Sequence, residues 1–347
     1  MRRLFAIAAL AALSGCSTVG YYAQLAHGEY SLLSARKPIS GLLQAPGTDP
    51  HLRERLALAQ AARAFASDSL DLPRNGSYTS YADIGRPDLV WNVFAAPEFS
   101  LNPVEHCFPF AGCVAYRGYF GRGDADAEAH RLQAAGYETY IGGVPAYSTL
   151  GWFDDPIVST MLRWDDDALA ETIFHELAHQ KLYLKGDTAF NESFATFVEQ
   201  EGLRRWRAAR GLPPAADAPQ QREDQFTAMI LAARQRLGQV YASAQPAAAM
   251  RAAKRAEIER LRAEYRALRD GDWHGYAGYD DWMNAPIDNA KLLPFGLYHQ
   301  WVPAFAALFA TNGGDWPRYF AAVKKLAGLP PAARERQLRA LAAEPAG

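Results

Sequence analysis

Two histidines four residues apart enclose a glutamate in the run His175-Glu176-Leu177-Ala178-His179. On a helix, residues at i and i+4 stand one turn apart on the same face, so both imidazoles reach one metal ion at about 2.0 Å. Glu176 is rotated around the helix from His175 and reaches a neighbouring water without ligating the metal. That is the chemistry of the H-E-x-x-H pattern. The cation draws the water pKa toward about 7, and the glutamate takes the proton and passes it to the leaving group. The motif needs a helix, and Ile173, Phe174, Leu177 and Ala178 supply a buried side for one running from Glu171 to Leu184. It also needs a third ligand. The other two cysteines of the body, Cys107 and Cys113, form no C-x-x-C chelate and are not expected at the metal. An acid downstream is expected instead. Lys185-Gly186-Asp187 breaks the first helix, Asp187 or Thr188 caps the next, and Glu192 then falls in its first turns. Glu199 follows at i+7 on the same face.

The surrounding chain has to position these groups. From Tyr21 to Asp71 the apolar spacing is helical, and Pro38, Gly41, Pro46 and Gly47 split it into two pieces. Between Asn75 and Trp152 helix formers thin out. Leu89–Ala96 and Cys113–Phe120 read as strands, and a helix over Ala125–Ala135 ends at Gly136. Tyr137–Ile141 follows as a third strand, with Ala146–Leu150 as an extension of the sheet. Gln220–Leu268 reads as an antiparallel helical hairpin whose surface charges are solvated. An aromatic loop over Gly271–Pro286 precedes helices over Asn289–Thr311 and Trp316–Ala327, and a last surface helix lies beyond Pro330. The expected class is α+β, predominantly helical, with a small and mostly antiparallel sheet. The expected division is a leader over 1–15, a helical segment over 16–74, a small α+β region over 75–160 and a helical metal-binding region over 161–347. Residues 75–347 are expected to act as one unit.

The leader is legible by itself. Arg2 and Arg3 are followed by an apolar run from Leu4 to Leu13 and then Leu13-Ser14-Gly15-Cys16. The apolar run is an export signal, too short to span a bilayer as a mature helix. Its last four residues resemble a bacterial lipobox, which implies cleavage before Cys16 and acylation of that cysteine. Several acyl chains, at about 0.8 kcal/mol per buried methylene, give stable anchoring. Ser17 in place of an acid points to the outer membrane, with the body facing the periplasm. In that oxidising compartment Cys107 and Cys113 are candidates for a disulfide, two buried thiols being the alternative. A formal charge of −2 over 347 residues leaves no basic excess for nucleic acid.

With these residues in hand, the chain resembles the bacterial putative aminopeptidases, lipoprotein zinc metallopeptidases of gluzincin type. The likeness runs through Leu13-Ser14-Gly15-Cys16, Gly20-Tyr21-Tyr22, Tyr116-Arg117-Gly118-Tyr119-Phe120, Tyr147 to Pro156, Phe174 to Gln180 and Asn191-Glu192-Ser193-Phe194-Ala195. The resemblance implies a zincin-like fold, a Zn2+ cofactor and a peptide or protein substrate. It makes Glu192 of the N-E-x-x-A element the third ligand, with Glu199 and Asn191 supporting the ligands from behind. The gap between His179 and Glu192 is shorter than in thermolysin-like and related enzymes, and by spacing alone Glu199 would be chosen. The resemblance also implies an electrophilic donor from a downstream helix, for which Tyr298 comes first and His299 second, a packed core tyrosine being the alternative. An edge strand near Gly143 and Tyr147 would pair with substrate backbone. Asp155 either holds a substrate α-ammonium or caps the turn before Pro156. Beside a lipid-anchored aminopeptidase, the sequence leaves open a zinc endopeptidase and a metal-stabilised envelope factor that binds proteins with little hydrolysis.

Overall fold

The computed structural model describes residues 19–343 apart from 109–111, 147–148, 215–216, 244 and 299. The leader, Cys16, Tyr147 and His299 lie outside the described residues. The chain is α+β and mainly helical, with small, chiefly antiparallel sheets.

The first described element, α1 (residues 19–34), is followed by the short strand β1 (Lys37–Pro38) and helices α2 (Ile39–Gln44) and α3 (Pro50–Ser69). Asp49 caps α3 by accepting from the Leu52 N–H at 2.9 Å, with Pro50 at the first helical position. β1 pairs antiparallel with β2 (Ser80–Ala82), which pairs in parallel with β8 (Ile157–Val158). The second sheet has the order β6-β3-β7, built from β3 (Val90–Pro97), β6 (Tyr116–Tyr119) and β7 (Tyr137–Val144), all antiparallel. Strand β3 is apolar almost throughout because both of its faces are covered. Trp91, Val93 and Ala95 pack under α4 (Arg122–Ala134). Phe94 and Ala96 meet Ala290 and Leu293 of α10 (Asn289–Tyr298).

Cys113–Phe120 is not the continuous strand the sequence suggests. It divides at Ala115 into β5 (Gly112–Val114), paired with β4 (His106–Phe108), and β6, paired with β3. The hairpin register sets Cys107 directly opposite Cys113, and the two are joined by a disulfide across a Cα separation of 3.8 Å. Ala146–Leu150 has no strand among its described residues; Thr149 instead opens a turn closed by Asp155. The helix expected over Asn289–Thr311 is two, α10 and α11 (Val302–Thr311), with Trp301 at the start of the second and Pro303 in its first turn.

The metal-motif helix α5 (Asp166–Lys181) lies in the largest core. Leu169, Ala170, Ile173, Phe174, Leu177 and Ala178 are all fully buried. They pack against α3 and against α6 (Thr188–Ala209), behind which α11, α12 (Trp316–Ala327) and α13 (Pro331–Ala343) close the core. The hairpin of α7 (Asp217–Ala242) and α8 (Ala247–Asp270) has its own smaller core with Trp273 and α9 (Asp280–Asn284). Its charges are not all simply solvated: Arg236 crosses from α7 to Glu257 at 2.6 Å and Glu264 at 2.9 Å, and the buried Lys254 pairs with Glu138.

Two glycines mark where elements approach closely. A Cβ at Gly28 of α1 would stand 2.1 Å from the Phe120 ring, so α1 sits directly on the end of β6. A Cβ at Gly202 of α6 would stand 2.9 Å from the Phe174 ring and 3.0 Å from Leu70. Phe174 is fully buried and cannot move aside cheaply. Gly202→Val is therefore expected to cost about 3 kcal/mol and Gly202→Ala about 1 kcal/mol in chemical denaturation, overpacking outweighing the gain in helix propensity.

Candidate metal centre

Helix α5 starts under three aspartates. Asp165 caps it by accepting from the Ala168 N–H at 2.8 Å, and Asp166 and Asp167 occupy the first turn, where acids suit the helix dipole. Both first-turn acids are also tied, Asp166 to Arg55 and Asp167 to Arg207. The N-terminal end of α5 is thus fixed to α3 and to α6. At its other end the chain turns back through residues 182–187 into α6. Gly186 takes φ of 80°, Asp187 caps α6 by accepting from the Phe190 N–H at 3.0 Å, and Asp187 pairs with Arg334 at 2.8 Å. The Asn191 amide closes this turn in both directions. It accepts from the Leu184 N–H at 2.7 Å and donates to the Leu184 carbonyl at 2.8 Å. Asn191 is 1% exposed, and its amide holds this turn rather than the histidines.

This hairpin brings α6 across the motif face of α5. His175 Nε2 and His179 Nε2 lie 3.1 Å apart, and each is 3.5 Å from Glu192 Oε2. Glu199 stands on the opposite side of the His175 ring, with Oε2 at 2.6 Å from Nδ1. Glu199 therefore accepts a hydrogen bond from Nδ1–H and turns the Nε2 edge of the ring toward Glu192 and His179. His175, His179 and Glu192 form a group that could hold a metal ion. A tetrahedral ion with bonds of about 2.0–2.1 Å places its donors about 3.3 Å apart, the scale of this triangle. The charges agree with that fit. Burial works against protonating His175, but Glu199 and Glu192 outweigh it and hold its pKa well above the ordinary range. Burial also raises Glu192, and the two histidines more than reverse this, bringing it to about 2. The three acids facing the histidines thus make a place that stabilises positive charge.

Glu176 is buried on the wall of the same cavity, with its pKa raised first by burial and lowered again by His175 and His179. A carboxylate raised in this way is a better proton acceptor near neutral pH. The cavity has a volume of about 1070 Å³. It lies between α5 and α6 on one side and α1 with the β3 and β6 sheet on the other, and its lining is mostly apolar. Tyr116 of β6 reaches into it. Burial raises the Tyr116 pKa well above 10, and the charges of Glu192 and Glu176 add to this, so its hydroxyl stays protonated in the same cavity. Tyr183 lines the cavity as well, its ring edge-on to His179 at 6.4 Å.

The sequence did not single out Tyr116 or Tyr183 as chemistry. Tyr116 could have been found, because it opens the Tyr116-Arg117-Gly118-Tyr119-Phe120 run. Tyr298 is the last residue of α10, and its side chain lies outside the described set. Strand β7 is an edge strand, but Gly143 is not in the cavity lining. A Cβ there would meet the Asp88 carboxyl at 2.4 Å, and Val144, Pro145 and Ala146 line the cavity instead. Asp155 is 3% exposed and accepts from the Thr149 N–H at 2.9 Å, and its backbone carbonyl accepts from the Tyr78 N–H at 2.6 Å. Burial raises its pKa to about 7, and Glu176 and Glu29 contribute to the rise. It braces a turn and is absent from the cavity lining, whereas Glu29 of α1 is part of it.

The ligand geometry separates Glu192 from Glu199 experimentally. Glu192→Gln is expected to purify with little bound metal. Glu199→Gln should keep its metal with affinity about 10–100-fold weaker, read by metal analysis after titration with a chelator.

No curated protein and no solved structure matches the chain. A family model described as "Putative aminopeptidase" matches residues 20–338, a span that takes in α1, the sheet, the His175–Glu192 cluster and the closing helices, and the chain accordingly belongs to that family.

Proposed function

We propose that this protein is a zinc-dependent aminopeptidase, anchored through an acylated Cys16 in the bacterial envelope and acting on peptides in the periplasm. The observation that carries the reading is the triangle of His175 Nε2, His179 Nε2 and Glu192 Oε2 in the wall of a large cavity, beside the buried Glu176. Two imidazoles and one carboxylate are a donor set suited to zinc, with room left for substrate. Bound there, zinc supplies Lewis acidity to the scissile carbonyl and lowers the pKa of water. Glu176 takes the proton from water and delivers it to the departing amine. The Tyr116 hydroxyl donates to the carbonyl oxygen as negative charge develops on it. Glu199 holds His175 in the tautomer that leaves Nε2 available.

Two features support an exopeptidase. Helix α1 covers one side of the cavity and obstructs a chain that would run through it. The cavity lining contains no lysine or arginine among its described residues, and Glu29 of α1 adds a carboxylate away from the metal ligands. That field suits the α-ammonium of a free peptide N-terminus.

The test compares peptides with free and blocked N-termini, together with casein. Hydrolysis of free peptides alone is expected. Cleavage of casein and of blocked peptides would make the protein an endopeptidase, and no cleavage by metal-loaded protein would favour a binding factor. Glu176→Gln should retain metal and lose at least about 1000-fold in kcat. Tyr116→Phe should lose about 100-fold in kcat with its metal content unchanged, and an unaltered kcat would remove Tyr116 from the mechanism.

A further inference from the structure

Helix α1 is apolar on the wrong side as well as the right one. Its inner face is docked. Tyr21 stacks on Phe108 at 5.7 Å and lies under the Arg117 guanidinium at 3.9 Å, and Gly28 abuts Phe120. The Gln24 amide accepts from the Phe120 N–H at 3.1 Å and donates to the Gly118 carbonyl at 3.3 Å. A second face holds Val19, Tyr22, Ala23, Ala26 and Tyr30, which fall within an arc of about 100° at 100° per residue, and Tyr22, Ala26 and Tyr30 border the cavity. All five are exposed, Val19 to 70% and Tyr30 to 72%, and that stripe carries no charged side chain. An exposed apolar stripe of this kind, on a helix whose opposite face is already docked, marks a surface that meets a partner.

The stripe continues onto a second element. Trp152 is 68% exposed and Phe153 is 48% exposed, and Phe153 lines the same cavity as Tyr22 and Tyr30. The loop is tied to the end of α1 by Arg36, which donates to the Asp154 carbonyl at 2.9 Å. Val19, Tyr22, Tyr30, Trp152 and Phe153 make up most of the large apolar side chains exposed among the described residues. Tyr22, Tyr30 and Phe153 border the cavity that holds His175, His179 and Glu192, and Val19 and Trp152 extend the same two elements beyond it.

We infer that this aromatic rim seats on the surface of a phospholipid bilayer, so that the cavity opens toward the membrane and takes peptide ends presented at it. Two observations choose lipid over other occupants. Val19 follows Cys16 by three residues, so an acylated Cys16 holds the start of the stripe within about 10 Å of the lipid surface. Tyr and Trp rings with few charges are also the side chains that settle at the headgroup level. The proposal takes the anchor from the proposed function for its orientation, but the rim makes its own contribution to lipid affinity and is tested without the anchor.

The experiment uses the mature chain with Cys16→Ser, produced without its leader, and vesicles of phosphatidylethanolamine and phosphatidylglycerol. A Glu176→Gln background keeps the readout independent of any peptidase activity. The non-acylated chain is expected to float with the vesicles. Val19→Ser with Trp152→Ser, neither of which lines the cavity, should lower the partition coefficient about tenfold with metal content unchanged. Ala23→Asp, an exposed substitution that puts a charge in the stripe, should do the same. Failure of the parent to float, or equal flotation of both variants, overturns the proposal. Self-association of the parent in the absence of lipid, abolished by the same variants, would overturn it in favour of a second copy of the chain as the occupant.

Discussion

The packing of α6 against α5 is the constraint on which the centre depends. Two histidines on one helix face define only a line of donors. A metal site requires a third donor held off that line, and α6 supplies it by crossing the motif at one register. That register is set by the turn through residues 182–187, where the Asn191 amide holds both polar groups of Leu184. A slip of one residue would rotate Glu192 by about 100° away from the histidines and take Glu199 away from His175 Nδ1. One clamp therefore aligns both acids together, because they stand seven residues apart on the same face. The core behind the two helices adds rigidity. Gly202 allows Phe174 to pack against α6 without an intervening side chain.

The charge balance of the centre follows from the same packing. Three glutamates and two histidines in a buried place cannot all hold their ordinary ionisation. The acids outnumber the imidazoles, so the cluster favours a cation at the point where the Nε2 atoms and Glu192 converge. The surrounding cavity is mostly apolar, and this makes the preference stronger than it would be in water.

The residues of the centre were legible in the sequence because their chemistry is local. The H-E-x-x-H run, the break at Gly186 and the acid-capped second helix each lie within a few residues and obey helix periodicity. The choice between Glu192 and Glu199 was harder, since both occupy the same face of α6; the identity of the element around Glu192, rather than its distance from His179, carried the sequence reading. What lies across the cavity was not legible. Tyr116 faces the cavity because β6 is laid along β3 by antiparallel pairing, and no periodicity along 113–120 announces that the strand divides at Ala115. Asp155 engages the Thr149 N–H in a turn, one of the two roles its sequence allowed, whereas nothing in the sequence around Gly143 announces that the Asp88 carboxyl stands against it. Helix α1 read as an ordinary helix, since a sequence does not show which of two apolar faces meets the protein.

The seat of α1 on β6 has a consequence for the size of the chamber beneath it. Gly28 touches the Phe120 ring where any larger residue would collide. The height of the roof above His175, His179 and Glu192 is therefore set by a hydrogen atom in place of a methyl group. A bulkier residue at position 28 would act as a shim, lifting one end of α1 and enlarging the chamber without altering His175, His179 or Glu192.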